Sequence, residues 1–388
     1  MIDRIYFIGD YYRGDQSRNV HILYTVLLPL LREYNIETNI LHTKEIFTFD
    51  DWMSSLKGTR LSFLEQCGLS SCDMIIGFEI NNIDLDFLNK NSIPWINFKI
   101  HPIRFLDDLY FSIQSSFDFE LSAHTIKKDH IYFYGEVLKL KSEVIPIDKN
   151  SLLIVGQTPF DKSVFFDDEF KGLNSYFSDL DQIVHKYDRI YYRHHPNLTN
   201  HKLDQEIIER YNATLTNNHS YYELLASNGI VAVTGISSSA LHEANYFGKK
   251  VYFLESRHEV FSEPISLKML YYHSEKWIGK FKSNRIDLVN LYINFEDNLL
   301  RKLYGNWSYP VIEESVKIMT NQLTNAEVKA KQAQEQAQNA EVKAKQAQEQ
   351  AQNAWNYYHM MVNSNSWKIT EPLRKLGILF RKLIGNSK

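Results

Sequence analysis

At 388 residues, 44% hydrophobic and 14% aromatic, the chain is long and apolar enough for two packed domains plus an appendage. Its 43 basic and 47 acidic residues leave a net charge of −4, which excludes the strongly basic balance of a general nucleic-acid binder. Two cysteines, Cys67 and Cys72, make neither a disulfide framework nor a zinc site and read as reduced thiols, and no apolar run approaches the ~18 residues of a spanning helix.

The first residues, Met1–Ile8, open into an apolar strand without a signal-peptide pattern, so a cytoplasmic location is expected. Arg4–Ile8 is that strand and Val20–Leu31 a helix. Asp73–Gly77 and Trp95–Ile100 are further strands, each running into polar residues. The chain turns charged around 139–150, with Pro146 and Asp148-Lys149-Asn150, and a domain boundary is expected there. Three more strands follow: Leu152–Val155, Ile190–Tyr192 and Ile230–Val233. Strands alternating with helices predict an α/β fold of two doubly wound, Rossmann-type domains facing a cleft, the GT-B architecture. The expected division is 1–145 for an acceptor-side domain, 146–310 for a donor-binding domain, and 311–324 for a closing helix.

Composition then changes sharply. Asn325–Gln338 recurs identically as Asn339–Gln352, with alanines at alternating steps of four and three from Ala326 to Ala354. This heptad seam, rich in good helix formers, predicts a helix over 325–354. It is either a solvated spacer or an oligomerising coil, and alanine buries little area for the second role. In the tail, 355–388, Leu373, Leu376, Phe380, Leu383 and Ile384 share a helical face, while Arg374, Lys375, Arg381 and Lys382 lie elsewhere around it. Such a helix suits an anionic membrane surface, or packing on a protein.

The three strands of the second half each end in a loop with chemical potential. Gly156-Gln-Thr-Pro-Phe-Asp161-Lys-Ser163 follows the first, Arg193-His-His-Pro196 the second, and Thr234-Gly-Ile-Ser-Ser-Ser239 the third. Ligands in open α/β sheets bind beyond the carboxyl ends of the strands, where these loops gather. From position alone, Asp161 is an Asp capping the next turn, a partner of Lys162, or a reactive carboxylate. Ser237, Ser238 and Ser239 are helix caps or, with the N–H groups of the helix beginning near Ala240, an anion cradle. His195 is placed to donate to a phosphate, whereas His194 is expected to point the other way and be structural. In the first half, Glu79 lies just past a strand and is the candidate base, with Glu243 as runner-up. Arg104 either faces a ligand or pairs with Asp107 or Asp108. The loop Gly9–Gly14 lines the cleft and lacks a dinucleotide fingerprint.

Over roughly 1–310, the string from Gln157 to Ser163, His195-Pro196 and Ser237–Ser239 resemble the motifs of bacterial retaining β-Kdo glycosyltransferases, which use CMP-Kdo to build capsule linkers and O-antigen caps. The resemblance implies Asp161 as a nucleophile forming a covalent glycosyl-enzyme and Glu79 as the base for the acceptor hydroxyl. It implies Gln157, Ser163, Arg193, His195, Ser237, Ser238 and Ser239 as donor-binding residues. His101 and Arg104 would face the acceptor or the sugar carboxylate. It implies no cofactor beyond the CMP-Kdo donor, no metal site, and a glycan or glycolipid acceptor. The tail resembles the endings of surface-polysaccharide enzymes, in keeping with a peripheral position on the inner membrane, and a homo-oligomer through the alanine heptads is the expectation if the seam pairs rather than acting as a spacer. The alternatives are a CMP-sialic-acid transferase, with which the His-Pro and serine motifs are also similar, and a non-catalytic assembly scaffold.

Overall fold

The computed structural model describes the chain apart from residues 1, 3, 14–16, 44, 119–124, 143–144, 197–201, 217, 282–297, 306–333, 335–337, 339–342 and 386–388. It falls into two compact units, Met1–Ile312 and Glu313–Lys388.

The first unit holds two five-stranded sheets. The strands of the first are β1 (Arg4–Gly9), β2 (Glu37–Ile40), β3 (Asp73–Phe78), β4 (Trp95–Ile100) and β5 (Phe111–Ser115), in the order β2-β1-β3-β4-β5. All neighbours are parallel except β5, which closes the sheet antiparallel to β4. Every residue of β3 is buried, as a strand covered on both faces requires. Helix α1 (Ser17–Glu33) buries Val20, Leu23, Leu27, Leu30 and Leu31, one face at helical spacing. Helices α2 (Phe49–Leu56) and α3 (Asn82–Lys90) complete the cover; α2 begins with a capping box in which Thr48 and Asp51 satisfy each other's backbone N–H.

Helix α4 (Lys128–Lys141) leads to the second sheet. Its strands are β6 (Ser151–Val155), β9 (Arg189–Arg193), β10 (Thr214–Leu215), β11 (Ile230–Gly235) and β12 (Lys250–Phe253), all parallel, in the order β10-β9-β6-β11-β12. A small hairpin, β7 (Phe165–Phe166) and β8 (Glu169–Phe170), projects after β6. Helices α5 (Phe177–Val184), α6 (Lys202–Tyr211), α7 (Tyr221–Ala226) and α8 (Ser239–Tyr246) connect the strands. Separate apolar clusters fill the two faces of this sheet. The expected GT-B-like class, two doubly wound domains in one unit, is the observed one.

The packing divides the chain differently from a cut at 145. Ile131 and Leu138 of α4 lie in the second domain's core, although α4 precedes the boundary. In return, residues 265–281 and 298–304 pack on the first domain. Ile265 pairs antiparallel with Phe111. Leu267, Leu270 and Tyr271 of α9 (Leu267–Tyr272), Trp277 of α10 (Ser274–Trp277), and Leu300 and Tyr304 of α11 (Leu299–Tyr304) join the first core. The closing segment is therefore already in place before residue 305, and the helix expected at 311–324 lies outside the described residues. Two crossings of the chain between the sheets tie the domains together.

In the second unit, residues 343–363 form a helix (α12), followed by α13 (Asn365–Ile369) and α14 (Glu371–Gly385). The earlier part of the expected heptad helix lies outside the described residues, apart from Gln334 and Gln338, which are helical.

Candidate active site

Each sheet has a point where the strand order reverses, and the candidate residues cluster at these two points. In the first sheet the reversal is between β1 and β3. After β1 the chain makes a tight 3-10 turn over Tyr11–Arg13, with the Arg13 N–H donating to the Asp10 carbonyl at 3.2 Å. After β3 comes Glu79, whose φ of +55° places it in the left-handed region. That conformation costs a residue with a Cβ about 1–2 kcal/mol. It is held by the Glu79 N–H donating to the Phe98 carbonyl at 2.8 Å. Gly77 makes the turn possible, because a Cβ there would lie 2.1 Å from Ile80 Cγ1.

In the second sheet the reversal is between β6 and β11, and the loops after them are knotted together. Gln157 Nε2 donates to Ser163 Oγ and to Ser237 Oγ, each at 3.2 Å, while Gln157 Oε1 accepts the Ser237 N–H at 2.9 Å. Ser237 Oγ in turn donates to the Ser163 carbonyl. Ser238 caps α8, its Oγ accepting from Ala240 N–H at 3.3 Å, and Ser239 is the first residue of that helix. The serine loop is thus both a helix start and, with its N–H groups, an anion-binding geometry. Gly156 lets the end of β6 approach β9: a Cβ there would sit 3.3 Å from the Arg193 carbonyl.

The two reversal points meet through one side chain. Arg13 Nη1 is 3.3 Å from Glu79 Oε2, and Arg13 Nη2 is 3.1 Å from Asp161 Oδ2. All three side chains are about a quarter exposed, so they line an open cleft rather than a core. The other oxygen of Asp161 accepts the Ser163 N–H at 2.9 Å, capping a short 3-10 turn. The capping role and a place in the cleft therefore belong to the same residue. Burial pushes the Glu79 carboxyl up, against the opposing pull of Arg13, Lys162 and Lys99, and nearby Asp10 pushes it further up. Asp10 is itself buried and raised for the same reason, with Asn81 Nδ2 donating to it at 3.4 Å. A second contact joins the domains at the lip, where Phe160 meets Phe49 edge to face at 6.1 Å.

His195 is half-buried after β9. Burial lowers its pKa while the neighbouring Asp161 charge raises it. His194 turns the other way and binds Asp204 of α6, as the alternation of an extended chain predicts.

Two residues, Arg193 and His101, stand elsewhere than expected. Arg193 points its Nη1 at the carbonyls of Thr216 and His219, bracing the loop before α7. His101 is buried, with Nε2 donating to the Ser262 carbonyl at 3.0 Å and Nδ1 accepting the Ile103 N–H at 3.2 Å. Burial drives its pKa down to about 3. Both ring nitrogens are thus occupied by backbone, and the ring is a neutral fastener rather than a ligand for acceptor or sugar. The Arg104 N–H donates to Glu243 Oε1 at 2.7 Å and its carbonyl accepts from Arg301 Nη2 at 2.9 Å, so its backbone is built into the domain interface, while its guanidinium charge is near enough to His195 to lower that ring's pKa. Asp107 receives the Tyr110 hydroxyl, and Asp108 receives the N–H groups of Leu109, Leu300 and Arg301. Glu243, the alternative base, is buried and takes a second hydrogen bond from Tyr222 Oη at 3.0 Å.

Arg13 is the cleft residue to which sequence reasoning gave no role of its own. Its signal was position: it follows the carboxyl end of β1, just as Asp161 follows that of β6. Among the described residues, no three of His, Cys, Asp and Glu converge as metal ligands.

Fold and site together define a GT-B-like α/β protein with paired carboxylates at the cleft. No protein-family model matches the chain, and no curated protein matches it. Among solved structures it is similar to the KpsC β-Kdo 2,7 transferase of Thermosulfurimonas dismutans, at 14% identity over 69% of this chain and 88% of that one, with a TM-score of 0.39. It is also similar to the UDP-GlcNAc 2-epimerase of Methanocaldococcus jannaschii, at 10% identity over 68% of this chain and 95% of that one, with a TM-score of 0.25. Likenesses this distant carry no argument about activity; the fold is read from the chain's own sheets.

Proposed function

We propose that the protein is a retaining glycosyltransferase that moves Kdo from CMP-Kdo to a surface polysaccharide or lipid-linked acceptor. The observation that supports this is the facing pair Asp161 and Glu79, one from each domain, held at the carboxyl ends of β6 and β3 by a common arginine. Retention needs two displacements at one carbon, and a carboxylate can perform the first. An oxygen of Asp161 bonds to the anomeric carbon as the bond to the nucleotide phosphate breaks, and the electron pair leaves with CMP. The acceptor hydroxyl then attacks the same carbon, the ester bond returns its electron pair to Asp161, and the proton passes to Glu79. The N–H groups of the serine loop and His195 would receive the phosphate. The same reading makes the tail a peripheral anchor that keeps the cleft near an anionic membrane.

The test is CMP release from a panel of CMP-sugars by the full-length protein. Release from CMP-Kdo, an adduct of one sugar residue by intact mass, and a loss of about a thousandfold or more in Asp161→Ala with CMP still bound are the expected results. Release from CMP-sialic acid alone would replace the donor, and turnover near wild type in Asp161→Ala would overturn the covalent route.

A further inference from the structure

Arg13 is bonded to both carboxylates at once, through different nitrogens of one guanidinium, at 3.3 Å to Glu79 and 3.1 Å to Asp161. A planar fork can hold two partners in this way, and a point charge such as an ammonium does so poorly. In the two-step route just proposed, on which this inference rests, Asp161 does not keep its charge. While it is an ester of the sugar it is neutral, and its claim on Arg13 weakens. We infer that Arg13 is a shared counter-ion that changes hands, divided between Asp161 and Glu79 while both are carboxylates and passing to Glu79 once Asp161 is esterified.

The consequence falls on the second step, in which Glu79 must be ionised to accept the proton of the acceptor hydroxyl. Burial opposes that ionisation. Among the described residues, the charges around Glu79 come from four elements: Arg13 and Asp10 after β1, Lys99 on β4, Asp161 and Lys162 after β6, and the Tyr304 hydroxyl on α11, whose own ionisation Glu79 opposes. Of these, only Arg13 bridges the nucleophile and Glu79 by direct ion pairs. Forming the glycosyl-enzyme thus removes a negative charge and concentrates a positive one at Glu79, and both changes favour its ionised form. Arg13 is in this sense a positioning residue that acts through Glu79, timing the base to the state of the nucleophile.

Asp161→Asn is a stable, neutral stand-in for the ester, so the exchange can be read without any donor. Glu79 is followed by carboxyl-carbon NMR titration of protein labelled in glutamate, its signal assigned by loss in Glu79→Gln. Four proteins make the cycle: wild type, Asp161→Asn, Arg13→Gln, and the double variant. Removing the Asp161 charge lowers the Glu79 midpoint in either background, because a like charge is gone. The expected result is a fall greater by about one pH unit when Arg13 is present than when it is glutamine. Arg13→Lys, which keeps the charge but loses the fork, is expected to lose most of the surplus, and it serves if Arg13→Gln does not fold. Equal falls with and without Arg13 would overturn the shared counter-ion. Failure of every CMP-sugar to react, with the surplus intact, would overturn the proposed reaction and leave the exchange standing.

Discussion

Two carboxylates in one cleft repel, and at the residue scale a single arginine shared between them opposes both that repulsion and the burial that pushes Glu79 up. Burial without a direct arginine partner falls on a neighbouring acid that takes no part in the proposed chemistry. Glu243, at the domain interface, is 3% exposed and its carboxyl is pushed up to about 7 by desolvation. For an acid raised in the folded state, the native protein holds its proton more tightly than the unfolded chain. The contribution is therefore fully present below the unfolded value of 4.5 and is lost as pH rises towards 7. Ionising it in place costs roughly 3 kcal/mol. Glu243→Gln keeps the acceptor for the Arg104 N–H and the Tyr222 hydroxyl, so urea unfolding should show a smaller decline in stability between pH 5 and 7 than in wild type. An identical slope in both proteins would show that Glu243 is not held protonated. At the donor end, His195→Ala should weaken CMP binding by about 1–3 kcal/mol by calorimetry. Transfer should survive EDTA, and a loss restored by a divalent metal would contradict the reading of the phosphate grip.

At the scale of elements, α8 and the loop before it would, on the proposed reading, serve stability and donor binding together. Ser238 caps the helix, so Ser238→Ala should cost about 1 kcal/mol in unfolding experiments and also weaken CMP binding. A variant with unchanged stability but weakened CMP binding would mean that the serine faces the ligand and not the helix. These elements were legible in the sequence because their cause is local: apolar runs of strand length end abruptly in polar residues, and serines precede a helical stretch. The parallel sheets and the gathering of loops beyond their strands follow from the alternation of strands and helices. What was not legible has a non-local cause. The periodicity of α4 says that one face is covered, not that the second sheet rather than the first covers it. The same holds for 265–281 and 298–304, whose apolar residues return to a core built mostly from the first hundred residues. His101 and Arg193 read as site residues because they follow strands. Their ring and guanidinium are taken by carbonyls of Ser262 and of Thr216 and His219, which no spacing in the chain announces. Arg13 is the converse case, an arginine in a loop read only as lining the cleft, which acquires a particular place when β3 and β6 bring Glu79 and Asp161 to it.

For the whole molecule the question is what the second unit does for the first. Among the described residues no helix is long and apolar enough to cross a membrane. The α14 helix nonetheless exposes Leu373, Leu376 and Ile378, and it carries Arg374, Lys375, Arg381 and Lys382 along the same fifteen residues. Lys375 pairs with Glu371 at 2.8 Å, an exposed and therefore weak contact that a charged surface can displace. Apolar side chains and basic groups on one short helix are what a reversible interfacial anchor requires, each basic residue near an anionic surface contributing roughly 1 kcal/mol. The two alanine repeats, if helical throughout, reach about 40 Å at ~1.5 Å per residue, and pairing along their seam would double the anchors and raise avidity. A chain ending near Thr324 lacks both devices but keeps Asp161, Glu79, Arg13 and the serine loop. It should therefore fold, release CMP from its donor in the presence of a soluble acceptor, and fail to float with vesicles containing anionic lipid. The full-length protein should float at low salt and be released at high salt, since screening shortens the reach of its charges. Equal flotation of the two proteins would refute the anchor. An inactive truncation that no longer unfolds cooperatively would show that the tail belongs to the catalytic fold.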